Sequence, residues 1–350
     1  MFESFIFRLQ GVHWGPVLGK QKCAANITKG IQMKQFFRTV LVGCLFLVLC
    51  TAQAAEKDVN IVFIPKSSDQ VFWELMRIGV DKAVQDDGHV KLTWRGPAHN
   101  DDTDSQIKIV QLYTKPGVDA ILIAPTDRAR LVESVQKAVA LGIKVIAVDS
   151  GLDGNQHLNF VTSDNYAGGQ LAAKTLAGLL QNQGKVAMLR TVAGSASTDD
   201  RAQGFVDYLK EKAPKITLVA DVYGGGSIGK ARHSATQLLA AHPGIDGVFA
   251  VNESSTDGML RALRDKGLAG KLRFIGFDST DFLLSGLEQQ EIHGLVIQNP
   301  TQMGYKGIQA AAAAARSQAI QNRTIFTDIT MVTRTNYKTP EIQKLMCSRC

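Results

Sequence analysis

From residue 58 onward, short runs of Val, Ile and Leu alternate with stretches whose apolar positions recur every three or four residues. The runs predict strands at Val59 to Ile64, Val90 to Trp94, Ala120 to Ala124, Lys144 to Val148, Val186 to Leu189, Thr217 to Val222, Gly247 to Val251, Leu272 to Phe277 and Gly294 to Ile297. Between them, Trp73 to Gln85, Leu131 to Leu141, Ala167 to Leu180 and Thr256 to Lys266 carry helical spacing. Near-continuous apolar strands separated by helices imply parallel sheets buried on both faces, an α/β architecture.

Two segments echo each other. Pro116-Gly117-Val118-Asp119 leads through AILIAP, a helix and LGIKVIAVDS to Asp149; Pro243-Gly244-Ile245-Asp246 leads through GVFAVN, a helix and LAGKLRFIGFDS to Asp278. Any βαβ unit needs a turn, a strand and a helix, so similarity of that kind is weak. More telling is that both units end a strand on a carboxylate followed by serine. Ligands of open parallel sheets bind beyond the carboxyl ends of the strands, so two such lobes would face one cleft with an Asp on either wall.

One apolar run behaves differently. Thr39 to Cys50 is followed by Ala52-Gln53-Ala54, preceded by Lys34 and Arg38, and shows no polar face. Twelve residues are too few to span a bilayer. A basic start, a short apolar stretch and A-x-A spacing predict a secretory signal peptide over 33–54, cut after Ala54 and delivering the chain to the periplasm. Residues 1–32 then read as an upstream extension from a start before Met33. Leu41-Val42-Gly43-Cys44 resembles a lipoprotein box, but the apolar core continues beyond it, against a lipid anchor.

Charge supports this division. The chain of 350 residues has 39 Lys and Arg against 32 Asp and Glu. Six of the basic residues and only Glu3 of the acidic ones precede residue 55, which leaves 33 against 31. That balance, with no basic run interleaved with aromatics, argues against a nucleic-acid partner. Of five cysteines only Cys347 and Cys350 follow the leader; they could close a small disulfide or end a frayed tail.

Candidate chemistry is sparse. The histidines show no paired metal spacing, and no metal or cofactor is expected. Tyr223-Gly224-Gly225-Gly226-Ser227-Ile228-Gly229-Lys230-Ala231 nearly spells a phosphate loop, but Ala231 stands where that loop needs Ser or Thr. Asp149 and Asp278 could serve as an acid/base pair for glycoside cleavage, or equally as hydrogen-bond acceptors. After the first strand, Lys66 and Gln70 precede adjacent Phe72 and Trp73 at a helix start. Consecutive helical residues point in different directions, so at least one aromatic is expected to face away from its lobe's core. An exposed ring there suits stacking on a sugar; the alternative is helix-to-sheet packing.

These motifs, in their order, resemble the type I periplasmic substrate-binding proteins of ABC sugar importers, in the ribose/allose-binding branch. The resemblance runs from Val59 to Val332 and rests on the Phe72-Trp73 loop, Ala124-Pro125-Thr126-Asp127, Val148-Asp149-Ser150, Ser163 to Gly169, Gly194-Ser195-Ala196 with Arg201, Gly204-Phe205, Ala241-His242-Pro243, Asn252-Glu253, Gly276-Phe277-Asp278 and Gln298-Asn299-Pro300. It implies two Rossmann-like lobes, 55–163 with 298–327 and 164–297 with 328–336, joined by a three-segment hinge and followed by a tail over 337–350. It also implies a monomer that closes on one monosaccharide and delivers it to an inner-membrane permease. The alternative is the same fold binding a non-sugar small ligand, a nucleoside or signal molecule, for a chemoreceptor or sensor kinase. By the same resemblance Phe72 and Trp73 stack on the ring with Lys66 and Gln70 at its edge. Asp149, Arg201, Asn252, Asp278 and Gln298 bond the hydroxyls. The branch's usual Asp-Arg pair is here Asp149-Ser150, and the Gly224 to Gly226 run replaces an aromatic, so the pocket is expected to be roomier or more polar than one for ribose.

Overall fold

The computed structural model describes residues 56–320 and 322–346. The segment expected as a signal peptide, its expected cleavage site, Cys347 and Cys350 lie outside the described residues.

Two six-stranded sheets each carry helices on both faces. The first contains β1 (Val59–Ile64), β2 (Val90–Trp94), β3 (Ala120–Ile123), β4 (Lys144–Val148), β5 (Asn159–Ser163) and β11 (Thr324–Thr327), in the order β11-β5-β4-β3-β1-β2. The second contains β6 (Gly184–Arg190), β7 (Ile216–Tyr223), β8 (Gly247–Ala250), β9 (Arg273–Phe277), β10 (Gly294–Gln298) and β12 (Ile329–Val332), in the order β12-β10-β9-β8-β6-β7. The two orders are the same five-strand pattern with one late strand added at the same edge. The sequence echo is therefore an echo of whole lobes: β3 to β4 in one corresponds to β8 to β9 in the other.

The helices in chain order are α1 (Val71–Asp87), α2 (Thr103–Tyr113), α3 (Val132–Ala140), α4 (Asn165–Leu179), α5 (Ala196–Lys212), α6 (Ile228–Ala241), α7 (Glu253–Asp265), α8 (Asp281–Glu288), α9 (Pro300–Ala315) and α10 (Pro340–Met346). The chain passes between lobes three times, from β5 into α4, from β10 into α9 and from β11 into β12. Three strands escape the apolar pattern, β5, β11 and β12. β5 reads Asn-Phe-Val-Thr-Ser, and β11 and β12 are half-buried edge strands with Phe326 exposed. β12 also departs from the parallel expectation by pairing antiparallel to β10, because the chain reaches it directly from the other sheet. Within the segment expected as a tail, Tyr337 and Ile342 are buried in the core of the second lobe.

Reciprocal glycines bring helix backbones into contact in both lobes. A β-carbon at Gly169 on α4 would lie 1.9 Å from the Arg201 carbonyl oxygen on α5, and one at Gly204 on α5 would lie 2.1 Å from the Tyr166 carbonyl oxygen on α4. Gly79 on α1 and Gly304 on α9 do the same in the first lobe, at 1.8 Å from Thr301 O and 2.3 Å from Met76 O. The Gly168-Gly169 and Gly204-Phe205 motifs are thus packing devices, and the α4–α5 contact also holds Arg201 at a fixed height above its sheet.

Gly169→Ala and Gly204→Ala are expected to destabilise the protein by roughly 1–3 kcal/mol through overpacking, lowering Tm by several degrees in thermal denaturation. Gly178→Ala on the same α4 meets nothing within 4 Å and should be neutral or slightly stabilising.

Candidate functional site

Parallel strands deliver their following loops to one edge of a sheet, and here the carboxyl edges of both sheets meet over one narrow cavity. All nine residues singled out from the sequence line it: Lys66, Gln70, Phe72, Trp73 and Asp149 from the first lobe, Arg201, Asn252, Asp278 and Gln298 from the second. Five more complete the wall, Asn100, Thr191, Ser195, Ser197 and Thr198. Asn100 follows β2, Thr191 follows β6, and the other three open α5. Their position beyond predicted strands was a usable signal; their residue types, common in any loop, were not.

The two echoing aspartates are built alike. Each ends a strand with left-handed backbone, φ 61° at Asp149 and 67° at Asp278, a conformation uncommon outside Gly, Asn and Asp. Each donates its own N–H to the neighbouring strand, Asp149 to Val161 O and Asp278 to Val296 O, both at 2.9 Å. The turn aims both carboxylates into the cleft. Asp149 Oδ2 lies 3.2 Å from Lys66 Nζ. Asp278 accepts from Gln298 Nε2 at 2.7 Å and from the Glu253 N–H at 3.0 Å, and burial pushes its carboxyl up from the usual range. Both Asp278 oxygens are thereby held by protein donors, the arrangement of a fixed acceptor rather than of a proton-donating acid.

Lys66 and Arg201 are as buried as the carboxylates. The Lys66 ammonium donates across the cleft to Ser195 Oγ at 3.0 Å and Ser197 Oγ at 2.9 Å. With Asp149, these acceptors match its three protons, so Lys66 ties the first lobe to the second as well as lining the cavity. Arg201, 2% exposed, donates from Nε to Asn165 Oδ1 at 2.8 Å and from Nη1 to Val251 O at 3.0 Å. Its guanidinium sits 3.8 Å over the Phe277 ring and 4.0 Å from Asp278. Burial pulls both basic groups below their usual values, although a guanidinium stays protonated in a protein. Asn165, which orients Arg201, begins α4 next to its Asp164 cap; this accounts for the polar start of the Ser163 to Gly169 motif.

The aromatic pair departs from expectation. Neither ring is exposed: Phe72 and Trp73 are 6% and 4% accessible and belong to the first lobe's core. The rings meet edge to face with centroids 5.0 Å apart. Different directions on the helix did not leave one outside, because the second lobe closes over the first turn of α1 and covers it. Both rings pack in the core and line the cavity at once. Asn252 likewise has two roles: its Oδ1 caps α7 by accepting from the Ser255 N–H and also accepts from Thr191 Oγ1.

Beside the cavity, Glu253 of α7 reaches the other lobe and accepts from the Val71 and Phe72 N–H groups at 3.0 and 2.8 Å. Burial pushes its carboxyl up to about 8, with Asp278 and Asp257 nearby adding to the rise and the two N–H donors moderating it. From the facing lobe Asp69 and Glu74 line the same groove. The Gly224–Gly226 run is a structured turn, with Gly225 at φ 86°; it receives Asp101 of the first lobe, whose carboxylate accepts from the Gly226 N–H and from Lys230 Nζ.

Comparison with known proteins agrees with this geometry. The sequence model of the periplasmic binding protein domain matches residues 61–319. The chain is 29% identical over 282 residues to the D-ribose/D-allose-binding protein of Pseudomonas aeruginosa, covering 78% of this chain and 88% of that one. Among solved structures it resembles the periplasmic component of an ABC-type sugar transport system from Hahella chejuensis, at 37% identity and TM-score 0.76, covering 78% of this chain and 99% of that one. It also resembles a carbohydrate transporter solute-binding protein from Agrobacterium radiobacter in complex with D-arabinose, at 33% identity and TM-score 0.79, covering 85% and 100%. These proteins are named for binding and transport, not catalysis.

Glu253 predicts a pH effect of definite sign. A carboxyl whose folded value lies above its unfolded one contributes stability that is complete below the unfolded value, near 4.5, and is lost as pH rises through about 8. Thermal denaturation from pH 5 to pH 9 should therefore show wild type losing stability relative to Glu253→Gln, whose amide does not titrate. A difference independent of pH would mean that the carboxylate is ionised throughout.

Proposed function

The chain belongs to the periplasmic binding protein family, and from that premise we propose that it is the solute-binding component of an ABC importer. Its two lobes close on one monosaccharide, a hexose or pentose, or on a related polyol, and present it to the membrane permease.

One observation carries the choice of ligand. Four buried polar atoms of the cavity wall have no partner: the donors Gln70 Nε2 and Trp73 Nε1 and the acceptors Asn100 Oδ1 and Gln298 Oε1. Leaving such atoms unpaired costs about 1–3 kcal/mol each, so a ligand that both donates and accepts gains what the empty wall lacks. The fixed charges of the wall, Lys66 and Arg201 against Asp149 and Asp278, balance, which favours a neutral ligand over a phosphate or an acid. A small ring or chain bearing hydroxyls meets both demands, and Phe72 and Trp73 offer its carbon face an apolar surface. Lys66 and Arg201 help to hold the acceptor carboxylates in place.

A thermal-shift screen of aldopentoses, aldohexoses and polyols, with nucleosides as contrast, tests the reading. At a hundredfold excess over Kd a ligand specific for the native state adds about 2.7 kcal/mol of stability. The sugar should be recovered unchanged by chromatography. A nucleoside as the sole stabilising compound would replace the sugar, and product formation would replace binding by catalysis. With the identified ligand, Asp149→Ala and Asp278→Ala should each weaken binding by roughly ten- to a hundredfold, the range for a lost charge-assisted hydrogen bond, as read by titration calorimetry.

The route to the periplasm follows from residues 33–54, which we read as a cleaved signal peptide. N-terminal sequencing of protein from a periplasmic extract should begin at Ala55; soluble protein retaining the leader would overturn this compartment.

A further inference from the structure

Two contacts made by carboxyl groups join the lobes without reaching the cavity. In the turn after β2, Asp101 of the first lobe accepts from the Gly226 N–H at 3.1 Å and from Lys230 Nζ at 2.6 Å, both in the second lobe. The Asn100 N–H returns a bond to the Gly226 carbonyl oxygen at 3.4 Å. The second contact is the Glu253 carboxyl group, whose two oxygens accept from the Val71 and Phe72 N–H groups at the start of α1 and take up two of the free donors of that helix end. Neither Asp101 nor Glu253 lines the cavity. Yet each is the sequence neighbour of a residue that does, Asn100 and Asn252, and Glu253 also grips the backbone of Phe72.

The glycine run that nearly spells a phosphate loop finds its use here. A backbone N–H and a lysine, the donors such loops offer to phosphate, are taken up by a carboxylate of the protein itself. The seat requires glycine: a β-carbon at Gly226 would lie 2.4 Å from the Asp101 nitrogen. Three residues on, Gly229 faces open space.

We propose that Asp101 and Glu253 are positioning residues that clasp the lobes shut, setting the affinity and lifetime of the bound ligand without touching it. The role rests on the ligand-binding reading above. Apparent affinity is the intrinsic affinity multiplied by the fraction of molecules in the competent state, so a contact made only between closed lobes acts on affinity as directly as one made to the ligand. The Lys230 side chain is 61% exposed and that of Asp101 22%, which makes theirs the weaker clasp; Glu253 is 2% exposed and makes the stronger one.

Titration calorimetry and stopped-flow dissociation with the sugar that stabilises wild type provide the test, on the full mature chain. Asp101→Ala and Gly226→Ala should weaken binding by about two- to tenfold and Glu253→Gln by more, about ten- to a hundredfold, chiefly through faster release. The Asp101→Ala/Lys230→Ala double variant should be no weaker than Asp101→Ala alone, and Gly229→Ala should bind like wild type. Asp101→Ala and Gly226→Ala should lower Tm less without ligand than with it, a difference that a merely structural role for either residue would not give. Wild-type affinity and release in both Asp101→Ala and Glu253→Gln would overturn the proposal. If wild type takes up none of the sugars, the ligand reading fails and the clasps are judged separately by small-angle scattering. Unliganded wild type should then be more compact than Asp101→Ala/Glu253→Gln, and equal radii would overturn the clasps as well.

Discussion

Four charged side chains, Lys66, Asp149, Arg201 and Asp278, are held almost wholly out of water between two lobes, and much of the molecule is arranged to make that tolerable. An unpaired charge in such a place is strongly unfavourable, and a buried pair breaks even only when the remaining protons and lone pairs are also satisfied. Lys66 meets Asp149 and two serines; Arg201 meets Asn165, the Val251 carbonyl and the Phe277 face, with Asp278 at 4.0 Å. Two of these partners, Ser195 and Ser197, lie across the cleft from Lys66, whereas those of Arg201 belong to its own lobe. Lys66 is therefore compensated in full only when the lobes are together, which couples the electrostatics of the wall to the closure of the cleft.

The fold solves that problem twice with the same parts. Both sheets run in the same strand order, and both place an aspartate in left-handed conformation at the end of a central strand. Both bring two helices into backbone contact through paired glycines. What differs is the loop chemistry laid over this frame. The first lobe contributes Lys66, Gln70 and the two aromatics; the second contributes Arg201, Asn252 and Gln298. A duplicated scaffold carrying unlike loops yields a cleft with distinct walls, which an asymmetric ligand such as a sugar requires.

How far the sequence reaches can be judged residue by residue. The apolar runs located nine strands, because a strand buried on both faces leaves a continuous hydrophobic signal. They missed β5, β11 and β12, which are short, polar or half-exposed. The carboxyl-end rule together with the family resemblance named nine residues that the structure gathers around one cavity. It gave Ser195 only as part of a motif and passed over Asn100 and Ser197, since small polar residues after strands serve many purposes and only a facing lobe singles some out.

The sequence by itself determined the α/β class, the repeated βαβ unit and the side chains offered to the cleft, because these follow from local periodicity and from where a parallel strand ends. Tertiary structure alone decided that Phe72 and Trp73 are both covered, that Lys66 divides its protons between the lobes and that the glycine run receives Asp101 instead of a phosphate. Each of those outcomes depends on a partner more than a hundred residues away in the chain. Local pattern carries no record of such a partner, whereas the closed packing of two lobes fixes it to within a hydrogen bond.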